Sequence, residues 1–318
     1  MLNNECFTHA NLYLFRIFSA YISYNLSLLL HSMFIKDNSI QSVINYFEEK
    51  LSETFSSREI KLIARSFISK RLGWESTDFI SRNEEKVSES DLLFFREKIN
   101  QLLEGVPFQY ALGETFFYNI LLKTDNRGLI PRPETEELVD WIVNDHQNTQ
   151  GIRILDIGTG SGCIPLAIKS VMPNSKMTGI DVDIDAINLS KENANALELN
   201  VDFFQHDILS RIDLDMEWDV IVSNPPYIPI REKSQMANHV LDYEPEIALF
   251  TTNENPLVFY EKIADFAAEK LSKNGSLYFE IHESNAEAVV QVLKNKNFEA
   301  ITVKKDLQGK DRMVRCKR

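Results

Sequence analysis

The tetrapeptide Asn224-Pro225-Pro226-Tyr227, directly after the run Asp219–Ser223, is the segment whose residue types point most narrowly to a chemistry. Two consecutive prolines remove two backbone donors and hold the chain extended, so its carbonyls face outward as acceptors. The Asn224 side chain sets a second carbonyl beside that of Pro225, a pair shaped to take both hydrogens of one planar NH2 group. Tyr227 offers a flat face for a conjugated amide or a base. An amide or exocyclic amine nitrogen is a poor nucleophile because its lone pair is delocalised. Fixing both hydrogens turns that lone pair toward an electrophile and favours the positive charge that develops. Methyl transfer to such a nitrogen requires no basic side chain, and the motif contains none.

A second constellation lies upstream. Residues 152–162 read as an apolar strand ending at Asp156, followed by Gly158, Thr159, Gly160, Ser161 and Gly162. Glycines let a ligand approach the backbone, and the helix behind them presents free N–H groups. The pattern is GxGxG rather than the dinucleotide GxGxxG. A carboxylate at Asp156 would repel a pyrophosphate but suits a cation. The sulfonium and amino groups of S-adenosyl-L-methionine make such a ligand. The alternative is a plain strand-to-helix turn capped by Asp156. Asp181 follows Gly158 at about the 20-residue offset at which a carboxylate grips ribose hydroxyls. Asp207 can accept from an adenine amino group while the Ile208 backbone faces the ring. Asp185 reads as the N-cap of a helix from Ala186, and His206 as a solvent-facing strand end. No His, Cys or acidic spacing suggests a metal site.

The elements that must hold these groups alternate. Residues 152–155, 176–180, 201–205, 220–223 and 276–281 read as strands. Residues 163–171, 184–199 and 257–272 read as helices, which implies a largely parallel sheet covered on both faces. An antiparallel pair, 300–304 with 313–316, closes the chain through Gln308-Gly309. Ahead of this, apolar residues recur at helical spacing from Ser39 to about Ala111, with Ser56 and Glu59 in capping-box register and a helix over Glu89–Leu103. Residues 114–123 read as a hairpin, and Pro131–Glu136 as a stiff loop into a helix from near Thr135.

Composition bounds the rest. The 318 residues carry 34 basic and 47 acidic side chains, a net charge of −13 that argues against bulk phosphate-backbone binding. Residues 131–318 hold 20 basic and 31 acidic groups, so the acidity lies with the chemistry. Three scattered cysteines exclude a disulfide scaffold and fit a cytoplasmic protein. Arg16, Asn25 and serines break the apolar run 12–30, and no basic leader or cleavage site accompanies it. Residues 1–32 are expected to be a non-essential extension, with Met33 as an alternative start. No membrane contact is expected.

With its motifs in view, the chain resembles the PrmC/HemK family of protein-(glutamine-N5) methyltransferases. Beyond the tetrapeptide, which N6-adenine and N2-guanine nucleic-acid methyltransferases share, the resemblance rests on several phrases. They are Leu129–Leu138, Tyr243-Glu244-Pro245 with Ala248-Leu249, Phe259-Tyr260, and Asp306, Gly309, Asp311 and Arg312. The resemblance spans about residues 35–318. It implies an α/β class I (Rossmann-like) S-adenosylmethionine-dependent domain over 131–318, a hairpin linker over 114–130 and a small all-α substrate-docking domain over 33–113. It implies Gly158–Gly162, Asp181 and Ile208 as cofactor contacts and Asn224–Tyr227 as the glutamine site. The implied partner is a peptide-chain release factor bearing a Gly-Gly-Gln motif. The expected enzyme acts without direct nucleic-acid contact and as a monomer. One departure is His282, where many relatives have glycine after Glu280. Against nucleic-acid amine methylation stands the lack of an evident basic stripe.

Overall fold

The computed structural model describes residues 37–210, 216–236 and 238–318, so the expectations for residues 1–32 and Met33 lie outside them. Contacts divide the chain into two compact units at Glu104/Gly105. The first unit holds α1 (Ile40–Leu51), α2 (Ser57–Leu72), α3 (Asp78–Ser81) and α4 (Glu89–Leu103). Their apolar stripes meet in a ring cluster: Phe47 stacks on Phe67 with centroids 5.9 Å apart and meets Phe95 edge-on at 6.3 Å. Each of these rings contributes roughly 3–5 kcal/mol when buried in this way. Ser56 and Glu59 form the expected capping box at the start of α2, and Ser88 with Asp91 builds another at α4.

The second unit begins with α5 (Phe108–Leu112), β1 (Glu114–Phe117) and β2 (Ile120–Lys123). The division at Glu104 falls ahead of the expected boundary at residue 113. The reason is local: α5 ends on Gly113 in the left-handed region, and the Gly113 carbonyl accepts from Thr124 N, binding α5 to the hairpin.

Then follow α6 (Pro133–His146), β3 (Arg153–Ile157), α7 (Cys163–Val171), β4 (Lys176–Asp181), α8 (Ile184–Ala196), β5 (Asp202–Gln205) and β6 (Trp218–Ser223). The short β7 (Ile228–Pro229), α9 (Asn238–Tyr243), α10 (Glu246–Leu249) and β8 (Phe250–Thr251) lead to α11 (Val258–Lys270), β9 (Leu271–Glu280), α12 (Ala286–Asn295), β10 (Glu299–Lys305) and β11 (Asp311–Lys317). Seven strands make one sheet in the order β10-β11-β9-β6-β3-β4-β5. The pairs β9–β6, β6–β3, β3–β4 and β4–β5 are parallel, and β11 joins β9 and β10 antiparallel.

Alternation along β6 shows why both faces are covered. Val220 and Val222 join a core with Leu138, Ile142, Ile164 and Ile168, while Ile221 joins the opposite core with Ile263, Val289 and Phe279. The order also fixes the position of the site. From β3 the chain winds outward through β4 to β5, then returns to lay β6 on the other side of β3. The carboxyl ends of β3 and β6 therefore flank a topological switch point, where open α/β sheets hold ligands.

One local expectation is corrected and another sharpened. The N-cap of α8 is Asp183, which accepts from Asp185 N at 2.9 Å, so Asp185 lies in the first turn. Helix α6 begins at Pro133, because proline lacks only a hydrogen the first turn does not use. Helix α12 and the β7–β8 pair have no counterpart among the expected elements.

Candidate active site

The loop after β3 is held from below. Gly158 N and Thr159 N both donate to Ile180 O of β4, at 2.8 and 3.0 Å, and Gly162 N closes the turn on Thr159 O. Gly158 and Gly160 have φ of 76° and 54°, and a Cβ on either would meet nothing within 4 Å. Their backbone is therefore bare toward open space, the form a loop needs to receive a ligand. Gly162 differs: a Cβ there would come within 3.1 Å of Leu166, Phe203 and Ser190. It caps α7 and packs against neighbours instead of facing the opening.

These loop residues border a cleft enclosing about 1060 Å³ of empty space, open solvent at its mouth included. The structure brings Gly158, Thr159, Gly160, Ser161, Asp181, Asp207, Ile208, Asn224, Pro225 and Pro226 to its walls. Among the expected site residues, Asp156, Gly162 and Tyr227 do not line it. His206, half-buried just past the end of β5, lines it as well.

Asp181 is already engaged. One carboxylate oxygen accepts from Gly160 N at 2.9 Å and the other from Asp183 N at 3.0 Å, which leaves one lone pair on each for a ligand hydroxyl. Burial raises its pKa, and these backbone donors oppose the shift. Asp207 spends its carboxylate on Leu209 N and Ser210 Oγ, shaping the turn that presents Ile208.

Asp156 is wholly enclosed at 0% exposure. Among the described residues neither of its oxygens makes a well-formed hydrogen bond, and the same holds for Thr159 Oγ1 and Ser161 Oγ, although the Thr159 hydroxyl is close enough to oppose the rise in the Asp156 pKa. Burial first, then the neighbouring Asp181 charge, pushes the Asp156 carboxyl up to about 7. It lies behind the glycine loop and not at the cleft wall, so it is not a ligand contact. The bare loop backbone beside the Asp181 carboxylate, each of whose oxygens accepts only one bond, fits a ligand that carries hydroxyl donors.

The opposite side of the switch point carries the acceptor groups. Ser223 Oγ donates to Ile157 O at 2.6 Å and clamps the end of β6 to β3. Asn224 follows, half-buried, with Pro225 buried behind it. Asn224 Nδ2 donates to Thr135 Oγ1 at 3.4 Å, and Thr135 Oγ1 donates to Glu280 Oε2 at 2.7 Å. The Asn224 carbonyl is left for the cleft. Tyr227 packs against the core shared by Tyr260 and Phe279, 5.8 Å from the His282 ring, so the expected stacking face is turned from the cleft. Burial pushes its phenol up to about 12.

Sequence reasoning left four structural residues without a role. Arg132 Nη2 meets both oxygens of Glu244 at 2.7 and 2.9 Å, and Ile130 N adds a third bond to that buried carboxylate. Thr135 and Glu280, each 2% exposed, support Asn224. Arg132, Thr135 and Glu244 stand in phrases that carry the family resemblance, and Glu280 stands beside the His282 departure, but nothing local to any of them shows which other segment it meets.

Two family models match the chain: the PrmC N-terminal domain over residues 42–113 and the methyltransferase small domain over residues 135–247. The release factor glutamine methyltransferase of Flavobacterium psychrophilum is 38% identical over 279 residues, covering 87% of this chain and 98% of that protein. That of Lactococcus lactis is 39% identical over 73% of this chain and 85% of its own length. That of Bacteroides thetaiotaomicron is 34% identical over 86% and 98%. The cleft at the β3/β6 switch point is thus that of a class I S-adenosylmethionine-dependent methyltransferase, and the chain belongs to the release factor glutamine methyltransferase family.

Proposed function

We propose that the chain transfers the methyl group of S-adenosyl-L-methionine to the side-chain amide nitrogen of the glutamine in the Gly-Gly-Gln motif of a peptide-chain release factor. One observation carries this reading. The bare glycine loop with Asp181 and the Asn224–Pro226 acceptor segment share one cleft, in a chain that matches release factor glutamine methyltransferases over most of its length.

In this reading the backbone of the Gly158–Ser161 loop and the Asp181 carboxylate hold the donor, with Asp207 and Ile208 toward its adenine. S-adenosyl-L-methionine supplies, when bound, a methyl group on a positively charged sulfur. Asn224 Oδ1 and the Pro225 carbonyl accept the two hydrogens of the glutamine NH2 and set its lone pair in line. As that nitrogen becomes cationic, its hydrogens bind both carbonyls more strongly, so the contacts stabilise the transition state beyond the ground state. Pro226, Pro245, Ile247 and Ala248 provide an apolar wall that keeps water from the reacting nitrogen. Tyr227, anchored in the core, keeps the tetrapeptide in place. Residues 33–113 serve as the docking domain for the substrate protein, 114–130 as the linker and 131–318 as the transfer domain.

Incubation with a radiolabelled methyl donor and a mixture of release factor, RNA and DNA tests the assignment. Label is expected in the protein fraction. Label confined to nucleic acid would refute it.

A further inference from the structure

Glu280 ends β9 and Thr135 lies in the first turn of α6, 145 positions apart, yet their buried side chains meet beside Asn224 at the cleft wall. A side-chain amide can present either its oxygen or its NH2 group in nearly the same volume, so its hydrogen-bond partners decide which faces where. A hydroxyl has a single hydrogen, and an ionised carboxylate only accepts. With Glu280 ionised, the Thr135 hydrogen is committed to Glu280 Oε2, and Thr135 Oγ1 can only receive. The Asn224 group facing it must then be NH2, which turns Oδ1 into the cleft.

We propose that the Thr135–Glu280 pair sets the direction of the Asn224 amide, Thr135 and Glu280 acting as positioning residues for the methyl-acceptor site. The proposal rests on the reading of Asn224 as the acceptor of the glutamine NH2. It deepens that reading, because the polarity of the chain is reversible. Protonated Glu280 can donate to Thr135, and the Thr135 hydroxyl is then free to donate to Asn224 Oδ1. The amide flips and presents NH2 to an incoming NH2, donor against donor.

The surroundings of Glu280 place that reversal within reach. The groups facing it are Thr135 and Glu134 from α6, the Cys163 thiol from α7, Arg312 from β11, Asn224 after β6, and the phenols of Tyr227 and Tyr260. Tyr260 Oη donates to the Glu280 main-chain oxygen, and Arg312 is shared with Asp306 and Ile281 O. Burial outweighs the Thr135 bond, the Arg312 charge and a weaker bond from the Asn224 amide, which also favours NH2 on that side, and pushes the Glu280 carboxyl up to about 7. The ionised, productive form is present above that value and is lost as pH falls through it.

Single-turnover methylation of release factor, at saturating donor and acceptor and across pH 6–9, tests this together with donor binding by calorimetry. Thr135→Val is expected to slow transfer by about tenfold or more while donor affinity changes less than about threefold. Thr135→Ser, which keeps the hydroxyl, should recover most of the rate. Wild type should lose rate below about pH 7, and Glu280→Gln, which cannot titrate, should lack that limb. An unchanged rate in Thr135→Val, equal losses in the Val and Ser variants, loss acting only through donor affinity, no acid limb in wild type, or an unaltered limb in Glu280→Gln would overturn the proposal. Absence of any transfer to release factor by wild type would instead defeat the underlying functional reading.

Discussion

At the residue scale, chemistry was readable where one residue type carries it alone. Asn224 beside Pro225 is an acceptor pair in any fold that leaves the segment extended, and glycines before a helix announce a backbone-lined ligand site. What could not be read was enclosure. Asp156 looks like a contact because it precedes Gly158, yet the strand directs it into the core side of the sheet, where it makes no well-formed hydrogen bond. Tyr227 looks like a stacking face, yet its ring packs against the core near His282. Asp181 keeps its expected place but also anchors the loop through Gly160 N. Replacing it with alanine removes a ligand contact and a loop bond together. Asp181→Ala is expected to weaken donor binding by roughly 10- to 100-fold, about 1.4–2.8 kcal/mol, with little change in substrate-protein affinity. Titration calorimetry checks this, and a wild-type dissociation constant would remove the role.

At the element scale, long periodic segments were legible and short ones were not. Helices α4 and α7 fall at their expected bounds, and α2 starts at the expected capping box, because caps and apolar spacing agree. The two-residue strands β7 and β8 have no period to read; they exist because Ile228 and Pro229 pair with Phe250 and Thr251 across a fold of the chain. Helix α12 is a different case. Ala286, Val289, Val292 and Leu293 keep helical spacing, and only its position after an irregular turn concealed it. The segment from Leu129 to Pro133 and the turn before α10 are joined by Arg132 Nη2, which donates to both oxygens of Glu244. Glu244 is the buried member, its side chain 1% exposed, and also receives Ile130 N. Glu244→Ala strands both donors and is expected to cost about 2–3 kcal/mol in urea unfolding, with Arg132→Lys costing less. A change under about 0.5 kcal/mol would show that the clamp contributes nothing.

At the scale of the whole molecule, strand–helix alternation made the α/β class legible, but the order of the sheet is a long-range fact. Placing β6 beside β3 is what brings residues 158–161 and 224–226 into one cleft, and no local pattern encodes that adjacency. The acidity of the C-terminal unit has a thermodynamic side. Asp156 and Glu280 both titrate near 7 in the fold but far lower when unfolded. Between these limits the native state binds more protons, so stability rises as pH falls from about 8 toward 6, by on the order of 1 kcal/mol for each group. Asp156→Asn should remove its share of that slope in thermal unfolding at the two pH values; an unchanged slope would mean that Asp156 is ionised throughout. The central claim is that the cleft methylates a release-factor glutamine through Asn224. The most direct test is peptide mapping of release factor after single turnover with labelled donor, wild type beside Asn224→Ala. The account predicts label on the Gly-Gly-Gln glutamine with wild type and a loss of about 100-fold or more in the variant at near-equal donor affinity. Label elsewhere, or equal labelling by the variant, would contradict it.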